Sequence, residues 1–209
     1  QENEISESLI EKAGFKSVAQ LNALRYLDFN IGKFLERAKK AGYYENTIFA
    51  FFGDHNTAMK RTENFRKEHD LNIQLQHVPF FIHAPNYVKN ETISKNGKLI
   101  DLFPTIASLA KVNHTNYTLG NDLLDSIPGK DASFVYLKIN GEPAVGLLQD
   151  SLYYSKTTIN KTAALYNLNT KDLNDIKDKN PLITKKMDSL LNAFYHSTKY
   201  LYFNNKKTK

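Results

Sequence analysis

From residue 17 to residue 40, apolar positions recur at three- and four-residue spacing. Val18, Leu21, Leu24, Leu27, Ile31, Phe34, Leu35 and Ala38 share one face, which predicts an amphipathic helix. Ser17 stands where an N-cap belongs, and Lys39, Lys40 and Gly42 where a helix ends. A short turn, Tyr43 to Asn46, leads into Thr47–Phe52, an apolar and aromatic run. Such a run reads as a buried strand of a parallel sheet. It stops abruptly at Gly53-Asp54-His55. Gly53 permits a sharp turn there. Residues 56–76 are polar, charged and without period, and predict a long connection directly after that turn. Val78–His83 is a second apolar run, with Pro79 tolerated at the start or edge of a strand. Residues 86–98 form a polar loop. Asp101-Leu102-Phe103-Pro104-Thr105 opens a helix, with Asp101 as its cap and Pro104 in its first turn.

After Pro128-Gly129 the pattern changes to short alternating segments: Ser133–Ile139, Ala144–Leu148 and Leu152–Thr157. Asn140-Gly141 between the first two predicts a two-residue hairpin. A further strand is expected at Ala163–Tyr166. Pro181 then starts a helix with Ile183, Met187, Leu190, Leu191 and Phe194 on one face. Two regions follow: 1–129, mixed α/β, and 130–209, a small antiparallel sheet closed by a terminal helix. The chain shows no internal repeat.

Composition narrows the function classes. The chain has 209 residues and no Cys, so disulfides, thiolate chemistry and Cys-ligated zinc are excluded. The net charge is +6. Part of it is Lys206, Lys207 and Lys209, expected to fray, and the rest is scattered rather than gathered into a basic stripe. Nucleic acid is therefore not an expected partner. No apolar run is long enough to span a bilayer. The polar start at Gln1, without Met, is expected of a mature or excised piece.

The candidate chemistry is concentrated at Asp54 and His55. A carboxylate beside an imidazole, at the carboxyl end of a strand, makes a plausible pair of divalent-metal ligands. His77, before Val-Pro, is a candidate anion or second-metal ligand, and His69, in the charged connection, is a candidate for contact with an anionic substrate. His83 reads as structural. So does Asp28, on the sheet-facing side of the first long helix. Asn56 is compatible with left-handed backbone. Arg61, Arg66 and Lys67 could clamp an anion, but they read first as a solvated charged face.

Five short segments, in order, resemble the alkaline phosphatase and sulfatase superfamily. They are Leu24 to Leu35, Tyr43 through Gly53-Asp54-His55, His77 to Pro85, Asp101 to Ile106, and Leu165-Tyr166-Asn167-Leu168. Within that superfamily they are most similar to phosphoglycerol and phosphoethanolamine transferases of the lipoteichoic acid synthase type. The resemblance implies the C-terminal part of a doubly wound, mostly parallel α/β domain. It implies Asp54 and His55 as ligands of one divalent metal, manganese or zinc in the transferases and calcium in the sulfatases. It implies a nucleophile upstream of Gln1, so that no catalytic nucleophile is expected in this chain. It implies a lipid-linked or polyol phosphate headgroup as substrate. An extracytoplasmic location is implied too, with the membrane reached only through a preceding anchor. The alternatives within reach are a sulfatase or phosphodiesterase of the same fold, or a non-catalytic binding domain that retains it.

Overall fold

A computed structural model describes residues 6–125 and 132–205. The chain forms two compact units, Gln1–Asn90 and Glu91–Lys209. The expected boundary at 129/130, the Pro128-Gly129 break and the terminal lysines lie outside the described residues.

The first unit begins with α1 (Glu7–Lys12) and α2 (Val18–Lys40). Ser17 caps α2 as expected, its hydroxyl accepting the Gln20 N–H at 3.2 Å. A turn of 3₁₀ helix over Tyr44–Asn46 leads to β1 (Phe49–Phe52). Two further short helical turns follow, Glu63–Phe65 and α3 (Arg66–Asp70), and then β2 (Phe80–His83). β1 and β2 pair antiparallel, Phe49 opposite His83 and Phe52 opposite Phe80. This corrects the parallel neighbour expected for β1. A parallel return needs a full crossover, whereas residues 53–79 hold only short helical turns and bring the chain straight back.

The core of this unit is small. Ala38 is buried against Tyr44 and Phe49, with Leu35 and Phe51 packed around them. Phe34 meets Phe49 edge to face at 5.7 Å, and the Lys39 ammonium lies 4.5 Å from the centre of the Tyr44 ring. Of the rest of the predicted apolar stripe of α2, Leu21 and Ile31 are half-buried. Val18, Leu24, Leu27 and Phe34 are exposed, as are Phe52 and Phe81 on the strands. The periodicity of the stripe is real, but only its C-terminal end meets the sheet. Asp28, expected to face the sheet, is also exposed.

The second unit begins with a 3₁₀ turn at Leu99–Asp101 and α4 (Leu102–Leu109). Asp101 does not cap α4 with its side chain, as the sequence suggested. Its carboxylate instead accepts the Lys98 and Asn121 N–H groups, each at 2.7 Å, and lies 3.3 Å from the Lys98 ammonium. That ammonium also donates to the Ala132 carbonyl at 3.1 Å. One turn on, the Thr105 hydroxyl donates to the Asp101 carbonyl at 2.6 Å and accepts the Leu123 N–H at 3.0 Å. The Asp-Leu-Phe-Pro-Thr stretch thus fastens the helix start to residues 121–123, and Lys98 links it to Ala132.

β3 (Ala132–Ile139), β4 (Glu142–Gln149), β5 (Leu152–Thr157) and β6 (Ala163–Asn167) form an antiparallel meander. The hairpin joins β3 to β4 as predicted, with Asn140 and Gly141 both at positive φ, 50° and 81°. α5 (Pro181–Asn204) starts at Pro181. Its residues Met187, Leu190, Leu191 and Phe194 pack on a face made by Val145, Leu147, Tyr154 and Leu165. No helix among the described residues is long and apolar enough to cross a membrane.

A polar clasp holds α5 to β5. The Asp188 carboxylate accepts the Lys156 ammonium at 2.7 Å, the Tyr154 hydroxyl at 2.8 Å and the Asn192 amide at 3.0 Å. Burial acts to raise the pKa of this carboxyl, yet the bonds from Lys156 and Tyr154 outweigh it and hold the group below its ordinary 3.8. A depressed carboxylate stabilises the fold above its unfolded value and loses that contribution as pH falls through the folded value. The urea midpoint of the native chain is therefore expected to drop below about pH 3.8, and that of Asp188→Asn to drop less. Equal acid losses in the two chains would show that the clasp carries no acid sensitivity.

Candidate functional site

The turn after β1 is stitched to the segment that precedes β2. The Gly53 N–H donates to the Pro79 carbonyl at 3.1 Å, and the Asn56 N–H to the Leu75 carbonyl at 2.8 Å. The Asn56 side-chain amide donates to the His77 carbonyl at 2.8 Å, while its oxygen accepts the Thr57 N–H at 2.8 Å. Gly53 suits a close approach: a Cβ there would meet the Val78 side chain at 3.2 Å, which would have to give way slightly. On the other side, Gln20 of α2 donates to the Thr57 hydroxyl at 3.0 Å, and the Lys60 N–H donates to the Gly14 carbonyl at 2.7 Å. The turn is therefore held from both flanks.

Asp54 and His55 sit on this turn, side by side and exposed. The Asp54 Oδ1 accepts the His55 N–H at 2.9 Å, which leaves Oδ2 available. The His55 Nδ1 lies 3.1 Å from the Asn56 carbonyl. A carbonyl only accepts, so this contact places the ring proton on Nδ1 and leaves the Nε2 lone pair outward. Orientation of a histidine through its second nitrogen is the usual support for a metal-binding imidazole. The chain thus offers one carboxylate oxygen and one imidazole nitrogen. Among the described residues, no group of three or more His, Asp or Glu could hold a metal ion. The donors fit two positions of a coordination sphere.

The other candidates are placed around this turn in different ways. The His77 backbone is tied to Asn56, but its side chain is 69% exposed, with Nδ1 3.9 Å from Glu68 Oε1. His77 precedes β2 rather than lying on it. His69 Nδ1 lies 3.6 Å from Asp70 Oδ1. Asp70 is gripped by Arg61 through two bonds, 2.7 and 2.9 Å, with the Arg66 Nε 3.8 Å away. The Arg61 guanidinium, by these hydrogen bonds, holds the Asp70 carboxyl below its ordinary value. Arg61 is thereby engaged within the loop rather than aimed outward as an anion clamp. His83 is structural: its Nε2 meets the Tyr44 hydroxyl at 2.5 Å, within the aromatic cluster of Phe49.

Asn56 is the residue whose part was underread. It is not among the non-glycine residues with positive φ, so left-handed geometry is not its contribution. Its side chain instead joins the turn to His77. The capacity of Asn to bond nearby backbone was the available signal.

Residues 17–112 match the sulfatase family, which lies within the alkaline phosphatase superfamily. It is 36% identical over 134 residues to lipoteichoic acid synthase 2 of Bacillus subtilis, a match covering 56% of this chain and 20% of that protein. It is 29% identical over 159 residues to an arylsulfatase of Clostridium perfringens, covering 73% and 32%. Among solved structures it is similar to BT4656, determined with its substrate D-glucosamine-2-N,6-O-disulfate. That likeness has a TM-score of 0.59 at 17% identity, over 84% of this chain and 39% of the other. The likeness establishes a sulfatase-type fold. The chain spans between a fifth and two fifths of these proteins.

Proposed function

We propose that this chain is the metal-ligand part of a transferase acting on phosphoglycerol-type headgroups. The carrying observation is the Asp54–His55 turn, with Oδ2 and the Nε2 lone pair left free by the bonds just described. Similarity to lipoteichoic acid synthase 2 supports the transferase reading, and similarity to an arylsulfatase supports a sulfatase as the second. By the same resemblance, the whole enzyme works outside the cytoplasm, attached to a membrane through a segment preceding this one.

A bound divalent ion would supply Lewis-acid polarisation of a phosphoryl oxygen. Asp54 and His55 would hold it, and manganese or zinc suits a carboxylate–imidazole pair. Asn56 keeps the turn in register with His77, whose exposed imidazole is within the same loop cluster and available to a substrate phosphate. His69 is the second candidate for that contact. The remaining ligands and the nucleophile come from outside the chain. The exposed apolar residues of α2 and the exposed Phe52 and Phe81 agree with a chain that is part of a larger domain.

The test is a manganese titration followed by electron paramagnetic resonance. The native chain should bind weakly. Asp54→Ala or His55→Ala should weaken binding by at least the roughly 10–100-fold that loss of an outer-shell partner brings. Affinity unchanged in both variants would remove the metal assignment. In a parallel turnover assay with phosphodiester and sulfate esters, the native chain should stay at background. Metal-dependent turnover that Asp54→Ala abolishes would instead show a self-sufficient enzyme.

A further inference from the structure

The sequence holds two Asn-Gly pairs, Asn96-Gly97 and Asn140-Gly141, both in the second unit. Asn is a labile residue because its carboxamide carbon can be attacked by the main-chain nitrogen that follows it. Glycine in the following place puts no side chain in the way. The two pairs are chemically equal, so their surroundings decide which one reacts.

Asn96 is held. It is half-buried, and its amide donates to the Asp150 carbonyl at 3.0 Å. The Gly97 carbonyl accepts the Ser133 hydroxyl at 2.8 Å, and a Cβ on Gly97 would meet Leu123 at 3.3 Å. The next residue, Lys98, is bonded to the buried Asp101. Ring closure at Asn96 therefore has to break the bonds to Asp150 and Ser133 in a segment anchored on both sides.

Asn140 is not held. Both residues of its pair are exposed at the tip of the β3–β4 hairpin. Among the described residues the Asn140 carboxamide has no hydrogen-bond partner. Beyond the chain neighbours, no atom stands within 4 Å of where a Gly141 Cβ would be. Ring closure needs the turn to open, and at a hairpin tip only the end pair, Ile139 and Glu142, has to part.

We propose that Asn140 is a site of spontaneous deamidation in the folded chain, with water as co-reactant, and that Asn96 is protected. The Gly141 nitrogen gives its proton to base and bonds to the Asn140 side-chain carbonyl carbon. The bond from that carbon to Nδ2 breaks, and the nitrogen leaves as ammonia with a proton from water. The cyclic imide then takes up water. Opening at the side-chain carbonyl gives aspartate, and opening at the main-chain carbonyl gives isoaspartate. Isoaspartate adds a carbon to the main chain inside a two-residue loop, which disrupts the pairing of Ile139 with Glu142. The Glu142 carboxylate accepts the Ile159 and Asn160 N–H groups, each at 2.7 Å, so the change loosens the neighbouring β5–β6 connection as well.

The experiment is incubation of the whole chain in mildly alkaline buffer, folded or in urea, followed by peptide mapping with isoaspartyl methyltransferase labelling. In the folded chain, position 140 should be modified about tenfold faster than position 96, the ratio set by the two extra hydrogen bonds at Asn96. In urea the two rates should be similar. Asn140→Gly accepts the same positive φ and should end the reaction at 140 while leaving that at 96 unchanged. The modified chain, separated by its added negative charge, should exchange the Ile159 and Asn160 amide hydrogens faster than the native chain. Equal folded-state rates at the two positions overturn the proposal, as does faster reaction at Asn96. So does an unmodified Asn140 in the folded chain over a period in which the chain in urea reacts at both. Native exchange rates at Ile159 and Asn160 in the modified chain overturn the link to the β5–β6 connection.

Discussion

Replacing Asp101 with alanine is expected to destabilise the second unit by roughly 3–5 kcal/mol, the range for breaking a buried ion pair from one side. Asp101 is fully buried, and its carboxylate answers three donors at once: the Lys98 ammonium and the Lys98 and Asn121 N–H groups. Alanine would leave two N–H groups without an acceptor and a nearly buried ammonium whose remaining oxygen partner is the Ala132 carbonyl. Lys98→Met should cost less. The methionine stem keeps the packing near Phe194, and the carboxylate keeps both N–H donors. Urea unfolding followed by tyrosine fluorescence suits this chain, which has 12 Tyr and no Trp. A larger loss for Lys98→Met than for Asp101→Ala would show that the ammonium, not the carboxylate, organises the segment.

Leu191→Ala is the second large effect, at about 2–5 kcal/mol. Leu191 is fully buried between α5 and the sheet, in the same cluster as Leu147, Leu165 and Met187. Truncation removes its contacts and leaves a cavity between two rigid elements that cannot collapse onto it. The control is Tyr202→Ala, an exposed position near the end of the same helix, which should lie within about 0.5 kcal/mol of the native chain. If both substitutions cost the same, α5 does not use the face assigned to it. Far-UV circular dichroism on both variants separates a loosened α5 from a general loss of structure.

Much of the framework was legible along the chain. The α2 periodicity with Ser17, the Asn140-Gly141 hairpin and the Pro181 start of α5 depend on groups a few residues apart. A cap needs one hydroxyl and one nearby N–H, and a tight hairpin needs two residues that accept positive φ. The Asp54–His55 turn was legible for the same reason: an apolar strand must stop where a polar pair begins. Asp101 shows where this fails. Its position before Leu102 suits an N-cap, yet its carboxylate bonds to Asn121, twenty residues away in sequence. The antiparallel pairing of β1 and β2 was equally hidden. A strand's own side chains fit either direction, and direction depends on how residues 53–79 return.

Burial divided the same way. The pattern of α2 established which residues share a face, and that face exists. Whether a partner covers it was decided only in three dimensions, where Ala38 meets Phe49 while Leu24 and Leu27 face outward. At the site, residue types alone selected Asp54, His55, His69 and His77. Bonds between sequence neighbours left the outward atoms of Asp54 and His55 free and set His69 beside Asp70. A contact between residues 39 apart, decided only in three dimensions, put His83 in an aromatic core with Tyr44. Local hydrogen bonding and side-chain spacing set helices, turns and the sharp end of β1, because those interactions span only a few residues. Strand direction, the Asp101 latch and the exposed part of the α2 stripe were decided by tertiary structure, because each depends on a partner distant in the chain.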